Sequence, residues 1–261
     1  MSIPNIKNIP KSKNWDSLAL YQKVRHYRNY LTPEHARFVD KIEAKKIVKE
    51  ILGDEIEVAK IIRILNDPND LHESDINTDK DIFIKASHGS GWNIHVNKGD
   101  NRNNLNKYKK LLYSWNKVYN NGDGEEIQYT YIKPRFFIEE AVKDKIIDKD
   151  VINYKFRCIY GKAIPFITVT VGKNKNFYDF EWNLINKPEI LFSIPKPLCL
   201  NKLIYCAETL AKPFEFVRMD FYINNEDKIY FSEYTFTPSN GVRVLSHDLE
   251  FILGKSWTND R

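Results

Sequence analysis

Cysteine is scarce in this chain, and hydrophobic segments long enough to cross a membrane are missing. The 261 residues include three cysteines, Cys158, Cys199 and Cys206, which are odd in number and lack the spacing of zinc or redox motifs. This pattern predicts buried thiols in a reducing compartment and no cysteine-bound metal. No window approaches the roughly 18 uncharged apolar residues of a membrane span, and the N-terminus lacks the apolar core of a signal peptide. The sequence therefore predicts a soluble, cytoplasmic protein without a transmembrane segment.

Charge of one sign is not strongly in excess either. Lys and Arg number 40 against 35 Asp and Glu, which gives a net charge of +5. This surplus is too small and too dispersed to indicate a nucleic-acid-binding protein, although it fits an enzyme that handles anionic ligands. The length is sufficient for one domain or for two closely packed lobes.

Two apolar runs near the C-terminus predict a β-hairpin. Residues 216–223 and 228–235 are rich in β-branched and aromatic side chains, and four turn-forming residues separate them. With those four residues as the loop, Asp220 pairs with Phe231, and Glu233 lies on the same face as Asp220. Two such carboxylates repel each other unless a cation or a shared proton lies between them, and they suit Mg²⁺ held together with phosphates. The alternative is that both acids face solvent.

A small polar loop between two predicted strands suggests phosphate binding. The strands are predicted at 81–85 and 93–96, and the loop contains Ser87-His88-Gly89-Ser90-Gly91. Its free backbone N–H groups could fold over phosphate oxygens, and Lys85 at the strand end could reach a phosphate as a point charge. The loop is neither a Walker A loop nor a dinucleotide-binding fingerprint. A plain glycine hairpin is the alternative.

A helix is predicted between a cap at Asp40 and Gly53. Its first turn carries Lys41, which faces the positive end of the helix dipole. A bound anion would reverse that small unfavourable term. A solvated surface lysine is the alternative.

The remaining elements mix helix and strand, which predicts an α+β fold. The first 75 or so residues have a mostly helical pattern. Further helices are predicted at 107–119 and 201–212, and further strands at 135–142, 154–159 and 166–171. A charged connector at 143–150 is the best candidate for a boundary between lobes.

These pieces occur in an order that resembles the ATP-grasp superfamily, and within it the TupA-like ATP-grasp proteins of bacterial cell-surface polysaccharide loci. The resemblance runs from about Phe38 to Trp257. It is carried by Asp40-Lys41 with the following helix, Phe83-Ile84-Lys85-Ala86-Ser87-His88-Gly89-Ser90-Gly91-Trp92-Asn93, Ile138-Glu139-Glu140, Tyr154-Lys155-Phe156 with Gly161-Lys162, Tyr178-Asp179-Phe180-Glu181-Trp182, Phe216-Val217-Arg218-Met219-Asp220-Phe221-Tyr222, and Glu233-Tyr234-Thr235-Phe236-Thr237-Pro238-Ser239-Asn240-Gly241. The glycine loop and the hairpin are fairly specific together, whereas each piece alone is not.

The resemblance implies an ATP-grasp fold, in which two α+β lobes with antiparallel sheets clasp ATP after a short helical N-terminal region. The predicted division is 1–75 for the N-terminal region, 76–142 for the small lobe with the glycine loop and hinge, and 143–261 for the large lobe with the metal site.

The same resemblance implies a set of ATP contacts. Lys41 and Lys85 would contact the phosphates, and the loop Ser87 to Gly91 would close over them. Glu139 and Glu140 would lie at the adenine hinge and the ribose.

The hairpin would hold the metal. By resemblance, Asp220 and Glu233 supply carboxylates to Mg²⁺, and Arg218 lies near the transferring phosphoryl group. The superfamily usually has Asn two residues after the metal glutamate, whereas this chain has Thr235, a neutral oxygen donor of shorter reach. The TupA-like branch tolerates threonine there. The ligand set of a second metal is therefore open, with Asn240 as a substitute candidate.

The implied reaction is ATP-dependent ligation of a carboxylate to an amine through an acyl phosphate. The expected partners are a sugar acid such as a uronic acid, free or nucleotide-linked, and an amino acid or small amine, in surface-polysaccharide synthesis. Candidates for the acceptor pocket are Lys155, Arg157, Asp179 and Arg243, for which salt bridges are the alternative.

Two other functions stay open on the sequence alone. One is a kinase that uses the same Mg-ATP site on a glycan or small molecule. The other is an inert nucleotide-binding scaffold, although the retained Lys85, Arg218, Asp220 and Glu233 argue against it. A glycosyltransferase is less favoured because no Asp-x-Asp is present beyond Asp148-Lys149-Asp150 in the charged connector.

Overall fold

A computed structural model describes residues 8–99, 104–119, 126–144, 146, 151–185 and 193–259. Its α-helices are α1 (Leu20–Tyr27), α2 (Pro33–Val39), α3 (Lys41–Leu52), α4 (Glu73–Ile76), α5 (Leu105–Trp115), α6 (Ile127–Thr130), α7 (Leu200–Ala211) and α8 (His247–Gly254). Its strands are β1 (Glu57–Val58), β2 (Ile61–Leu65), β3 (Ile82–Ala86), β4 (Asn93–Val96), β5 (Phe136–Glu140), β6 (Asn153–Ile159), β7 (Lys162–Val171), β8 (Asn174–Tyr178), β9 (Phe216–Ile223) and β10 (Ile229–Thr235). Short 3-10 helices cover Trp15–Ser17, Arg28–Tyr30, Gly53–Glu55, Pro68–Asp70 and Pro238–Gly241.

The strands form two sheets. One has six strands in the order β1-β10-β9-β6-β7-β8, and the other has four in the order β2-β5-β3-β4. Within each sheet, the neighbouring strands among β2 to β10 pair antiparallel. The predicted α+β fold class is confirmed.

The residues group into two compact units. The smaller unit contains Thr32–Ile47 and Val58–Val142, and the larger unit contains Met1–Leu31, Val48–Glu57 and Lys143–Arg261. The three-part division drawn from the sequence stays a prediction. Most of its connector, 143–150, lies outside the described residues.

The core of the smaller unit lies on one face of its four-stranded sheet. Alternation along β3 directs Ile82, Ile84 and Ala86 to this face, where they pack with Leu112 of α5. The other face of β3 carries Phe83 and Lys85, which are only partly buried. The sheet thus presents Lys85 on the side opposite its core.

The six-stranded sheet of the larger unit is also two-faced. Along β9, Val217, Met219 and Phe221 lie on one face, and Arg218 and Asp220 lie on the other. Helix α7 packs on β6, β7 and β9 of this sheet and buries its own apolar side. We infer that α7 covers the apolar face, because a half-apolar sheet must bury that face against another element. The face with Arg218 and Asp220 therefore carries the polar side chains.

A buried lysine ties the N-terminal helix of the larger unit to the end of the chain. Lys23 of α1 is fully buried, and its Nζ donates to the carbonyl oxygens of Gly254 at 2.9 Å and Trp257 at 2.7 Å. Its ammonium group lies 5.2 Å from the centroid of the Trp15 ring. Burial is the main cause that lowers the pKa of Lys23 to about 8. Folding therefore lowers the pH at which this lysine loses its proton.

Most predicted elements are present, with shifted ends. The helix expected at 107–119 spans Leu105–Trp115, so Tyr119 lies beyond it, and the strand expected at 135–142 spans Phe136–Glu140. Strands β1 and β2 lie within the segment that the sequence pattern described as mostly helical. None of the described helices is both long enough and apolar enough to cross a bilayer.

Candidate functional site

Lys85 of the smaller unit shares a buried carboxylate with a second lysine. The Nζ of Lys85 lies 2.5 Å from Oε1 of Glu139, and Lys45 pairs with the other oxygen. Glu139 is 4% exposed. Burial alone would raise the pKa of Glu139, but the two ammonium groups outweigh it, and the pKa is lowered. Glu139 is therefore ionised and holds Lys85 in position on the sheet.

The first turn of α3 is fixed beside the glycine loop. Oδ1 of Asp40 accepts from the backbone N–H of Ile42 at 2.9 Å, which confirms the predicted cap. Oδ2 of Asp40 accepts from Nη2 of Arg135 at 2.8 Å. The backbone N–H of Lys41 donates to the carbonyl of Ser87 at 3.2 Å. The predicted lysine and the predicted loop thus lie together at the start of the helix.

The Lys41 side chain also reaches this loop. Its Nζ donates to the carbonyl of Gly89, and it lies 5.7 Å from the centroid of the Tyr129 ring. Lys45 is one helical turn after Lys41 and pairs with Glu139. Lys41, Lys45 and Lys85 therefore form one cationic group around the loop and Glu139.

The glycine loop is anchored from its buried side. His88 is fully buried, and its Nε2 lies 2.8 Å from the carbonyl oxygen of Trp115. Burial, the largest cause, lowers the pKa of His88, so the ring is neutral at pH 7. A Cβ added to Gly89 would lie 2.7 Å from Tyr119 and 2.8 Å from Trp92, so only glycine fits there. His88 and Gly89 position the loop, while Ser90 and Gly91 are exposed at its tip.

Glu139 and Glu140 lie on opposite faces of the four-stranded sheet, because they are adjacent positions of one strand. Phe83 pairs with Glu139 and Ile82 with Glu140, so only Glu139 shares the face of Lys85. Glu140 instead lies 3.5 Å from Lys80 and 3.9 Å from Lys60, in partly exposed ion pairs. Ser87 has a buried hydroxyl with no hydrogen-bond partner among the described residues. The predicted ATP contacts of all three residues stay predictions.

The carboxylates of the larger unit are closer than the sequence register implied. The predicted pairing of Asp220 with Phe231 is wrong, because Phe231 pairs with Phe221 and Glu233 pairs with Asp220. The turn is one residue longer than predicted, because Ile229 rather than Lys228 pairs with Ile223, and a β-bulge at Ser232 shifts the register by one further residue. The bulge brings the two acids directly opposite each other on one face. The expectation that they share a face is confirmed.

Arg218 lies against both carboxylates and Thr235. Its Nε donates to Oδ1 of Asp220 at 2.7 Å, and its Nη2 donates to Oδ2 at 2.6 Å. The same Nη2 lies 3.3 Å from Oε1 of Glu233 and 3.1 Å from Oγ1 of Thr235. The hydroxyl of Thr235 donates to Glu233 at 3.2 Å. Arg218 thus supplies a cation beside two carboxylates that would otherwise repel each other.

Asp220 is ionised although it has no exposed surface. Burial would raise the pKa of Asp220, but Arg218 and then Lys155 outweigh it and lower the pKa. Nζ of Lys155 lies 3.5 Å from Oδ2 of Asp220 on the adjacent strand. Two cations therefore compensate the buried charge.

The four proposed acceptor residues have different surroundings. Lys155 and Arg157 lie on β6 beside Asp220 and Arg218 of β9. Asp179 accepts from the backbone and side-chain nitrogens of Asn183 at 2.7 and 2.9 Å, so it closes its own turn. Arg243 is exposed. Within the described ranges, neither Asp179 nor Arg243 forms a hydrogen bond or ion pair with the carboxylate cluster, and their substrate roles stay predictions.

Sequence reasoning missed Lys45, Arg135 and Lys175. The spacing of Lys41 and Lys45 at i and i+4 was a usable signal for the first. Arg135 precedes β5 and pairs with a helix cap distant in sequence, so no local pattern indicates it. Lys175 on β8 is placed by the pairing of β7 with β8, where it lies opposite Thr170.

Comparison with known proteins gives one family-level match. The sequence model of the family described as TupA-like ATPgrasp matches residues 20–258. Sequence comparison with curated proteins finds no match.

Solved structures with a similar fold are distant in sequence. N5-carboxyaminoimidazole synthetase from Staphylococcus aureus is 11% identical, with a TM-score of 0.44, over 76% of this chain and 44% of that one. An ADP complex of N5-carboxyaminoimidazole ribonucleotide synthetase is 13% identical, with a TM-score of 0.48, over 82% and 50%. Macrocyclase MdnC from Microcystis aeruginosa, bound with precursor peptide MdnA, is 10% identical, with a TM-score of 0.44, over 87% and 62%. This chain thus spans less than two thirds of the length of each of these proteins.

Proposed function

Because this chain belongs to the TupA-like ATP-grasp family, we propose that it is an ATP-dependent ligase that joins a carboxylate to an amine through an acyl phosphate. The main support for the proposal is the Arg218 network. In it, one guanidinium contacts the ionised Asp220 and also contacts Glu233 and Thr235. Phosphoryl transfer depends on positioning and charge stabilisation, and this network supplies both on one rigid sheet face.

The smaller unit supplies the groups for the nucleotide phosphates. Lys41 and Lys85 are its candidate phosphate ligands, because both are held at the base of the glycine loop by identified contacts. Glu139 orients Lys85 through their ion pair. The exposed tip at Ser90 and Gly91 provides backbone N–H groups for phosphate oxygens. These residues would bind ATP and shield the reacting group from water.

The donor set of the larger unit fits Mg²⁺. Asp220 and Glu233 are directly opposed oxygen donors, and Mg²⁺ is usually bound by one or two carboxylates together with substrate phosphates. Thr235 adds a neutral oxygen beside Glu233. When bound, the ion would neutralise charge on the phosphates. Arg218 shares these carboxylates and would lie beside the transferred group.

The proposed reaction needs no nucleophile from the protein. A carboxylate oxygen of the acceptor forms a bond to the γ-phosphorus of ATP, and ADP leaves. The amine then attacks the acyl carbon, and phosphate leaves with the bridging oxygen. The cysteines do not contribute a thiolate, because burial is the main cause that raises the pKa of Cys158, Cys199 and Cys206.

The acceptor is proposed to be a sugar acid, such as a uronic acid, and the amine an amino acid or other small amine. Lys155 and Arg157 are the best-supported acceptor contacts, because they lie on the same sheet face as Asp220 and Arg218. A role in bacterial surface-polysaccharide synthesis and a cytoplasmic location, where ATP is available, are part of the proposal. Asp179 and Arg243 are retained as lesser candidates.

An ADP-release screen tests the proposal. The purified chain is incubated with Mg-ATP and a matrix of sugar acids, free and nucleotide-linked, crossed with amino acids and small amines. We expect ADP release that requires both a carboxylate and an amine, and loses most of its rate in Asp220→Asn. Lys173→Gln, an exposed charge change on the β7–β8 turn, is the matched control. Amine-independent ADP release with a stable phosphorylated product would contradict ligation and favour a kinase.

A further inference from the structure

Four cations lie on the same face of the six-stranded sheet. Lys155 pairs with Asp220 and Arg157 with Arg218 across β6 and β9. Lys155 also pairs with Thr168 of β7, and Thr170, two residues on, pairs with Lys175 of β8. Directly paired residues and residues two apart lie on the same face of a sheet. Lys155, Arg157, Lys175 and Arg218 therefore all lie on the carboxylate face.

Only two of these cations are matched by the carboxylates. Arg218 makes a two-pronged contact with Asp220, and Lys155 lies 3.5 Å from the same carboxylate. Glu233 completes the Arg218 network. Arg157 and Lys175 form no ion pair among the described residues. On this face the four positive side chains thus meet two carboxylates, and the buried Glu250 of α8 is a third anion whose charge acts on Arg157.

Arg157 is the more informative of the two cations that form no ion pair among the described residues. It is 7% exposed, and its Nη1 donates to Oγ1 of Thr168 at 2.8 Å. Its guanidinium also stacks over Phe166 at 5.2 Å from the ring centroid. In the part of the chain that the structure describes, it makes no other hydrogen bond. A guanidinium has five N–H donors and one of them is used here, so an external anion that accepts from the others would stabilise the buried side chain.

Lys175 lies within electrostatic reach of the other three. Burial is the first cause that lowers the pKa of Lys175, and repulsion from Lys155, Arg218 and Arg157 follows. Burial and then repulsion from Arg218 lower the pKa of Arg157 to about 10, against attraction from Glu250 and Asp220, and Arg157 is charged at pH 7. The side chains therefore converge on one region of the face.

We propose that Arg157 and Lys175 bind a phosphate-type dianion carried by the substrate whose carboxyl group reacts. This inference rests on the proposed function for its acceptor, but the anion site itself stands on the geometry of the sheet face. The remaining N–H donors of Arg157 and the ammonium group of Lys175 suit the several oxygens of one phosphate, whereas a single carboxylate offers only two. Arg also binds phosphate oxygens through parallel N–H donors, and Lys adds a point charge. The substrate would then be a phosphorylated or diphosphate-linked acid.

The test is calorimetric titration of inorganic phosphate into the full chain saturated with Mg²⁺ and a non-hydrolysable ATP analogue. The analogue fills the nucleotide phosphate positions, so further binding reports another site. We expect Lys175→Gln and Arg157→Met each to weaken phosphate binding by about tenfold, since each removes a charge-assisted contact. Lys173→Gln removes the same charge two residues from Lys175 and should leave binding unchanged. Lys175 is exposed, so its variant tests the site even where Arg157→Met fails to fold.

Competition experiments identify the source of the dianion. Glucose 1-phosphate and UDP-glucose present a phosphate monoester and a diphosphate, and glucarate presents two carboxylates. Displacement of inorganic phosphate by either phosphate compound supports the proposal, and the tighter one assigns the class. Preferential displacement by glucarate would overturn it.

Further outcomes separate this inference from the proposed function. Equal loss of phosphate binding in Lys175→Gln and Lys173→Gln would overturn the inference, as would loss of affinity for the ATP analogue in Lys175→Gln. Absence of analogue binding in the unaltered chain would contradict the proposed function. The phosphate titration of nucleotide-free protein would then still test Arg157 and Lys175, with the same expected losses and the same overturning result.

Discussion

Replacement of Lys85 by alanine should separate nucleotide binding from folding. Lys85 has 21% of its side chain exposed and shares Glu139 with Lys45, which remains in Lys85→Ala. The buried carboxylate therefore keeps one cation, and we expect the melting temperature without nucleotide to change little. Lys45→Ala removes the more buried partner, and we expect it to cost more stability.

The effect on nucleotide binding should be large. Mg-ATP at about 100 times its Kd stabilises a protein by about 2.7 kcal/mol. In a chain of this size, that free energy corresponds to a rise in melting temperature of about 5–10 °C. Loss of one charge-assisted contact worth about 1.5–3 kcal/mol leaves about 0.3–1.3 kcal/mol at the same nucleotide concentration. The rise should therefore fall to about 1–5 °C.

Differential scanning fluorimetry with and without Mg-ATP measures both quantities. Lys80→Ala is the control, because Lys80 is an exposed lysine near β3 that pairs with Glu140 at 3.5 Å. It should keep the full nucleotide shift. An undiminished shift in Lys85→Ala would refute the assignment of Lys85 to the phosphates. A normal shift combined with strong destabilisation would make Lys85 a structural residue.

Three further predictions concern the metal carboxylates, the glycine loop and the buried lysine. Asp220→Asn and Glu233→Gln should each abolish ADP release, and the double variant should lose hardly more, because both charges act on one ion; additive losses would argue for separate roles. Gly89→Ala should destabilise the protein more than Gly91→Ala in chemical denaturation, because its added Cβ meets two aromatic rings at 2.7 and 2.8 Å, whereas the Gly91 position is open but has a φ of +72°; equal losses would contradict this packing. The pKa of Lys23 is lowered from 10.5 to about 8, so the unfolded state binds more protons than the folded state between these pH values. The free energy of unfolding of the unaltered chain, relative to that of Lys23→Met, should therefore rise from pH 8 to pH 10. A constant difference between the two chains in denaturant titrations would show that the lysine is not buried as described.

The hairpin shows which part of the site the sequence could predict. The apolar runs predicted β9 and β10, and the period of two placed Asp220 and Glu233 on one face. The register was wrong by two residues at Asp220, because the turn is one residue longer than the four predicted and the bulge at Ser232, which no turn residue marks, adds one more. The bulge depends on how β10 packs, which local propensity does not determine.

The polar contacts around the lysines were harder to predict. Glu139 and Glu140 are neighbouring acids, and both were predicted to contact ATP. Strand alternation, however, places only Glu139 on the face of Lys85. His88 was predicted as a nucleotide contact, and its burial against the carbonyl of Trp115 became visible only in the folded chain. Lys175 needed the register of β7 and β8 before it could be placed beside Arg157. Such long-range pairings depend on tertiary structure, and the sequence pattern contains no local signal for them.

The proposed reaction requires that a carboxylate is activated by phosphorylation before an amine reacts. The most direct measurement uses an acceptor identified in the ADP-release screen, labelled with ¹⁸O in its carboxyl group, together with Mg-ATP and the amine. We expect one ¹⁸O atom in the released inorganic phosphate, because the attacking oxygen bridges carbon and phosphorus and leaves with the phosphate. Hydroxylamine in place of the amine should give the hydroxamate. Unlabelled phosphate, or a stable phosphorylated product with no amide, would contradict the account.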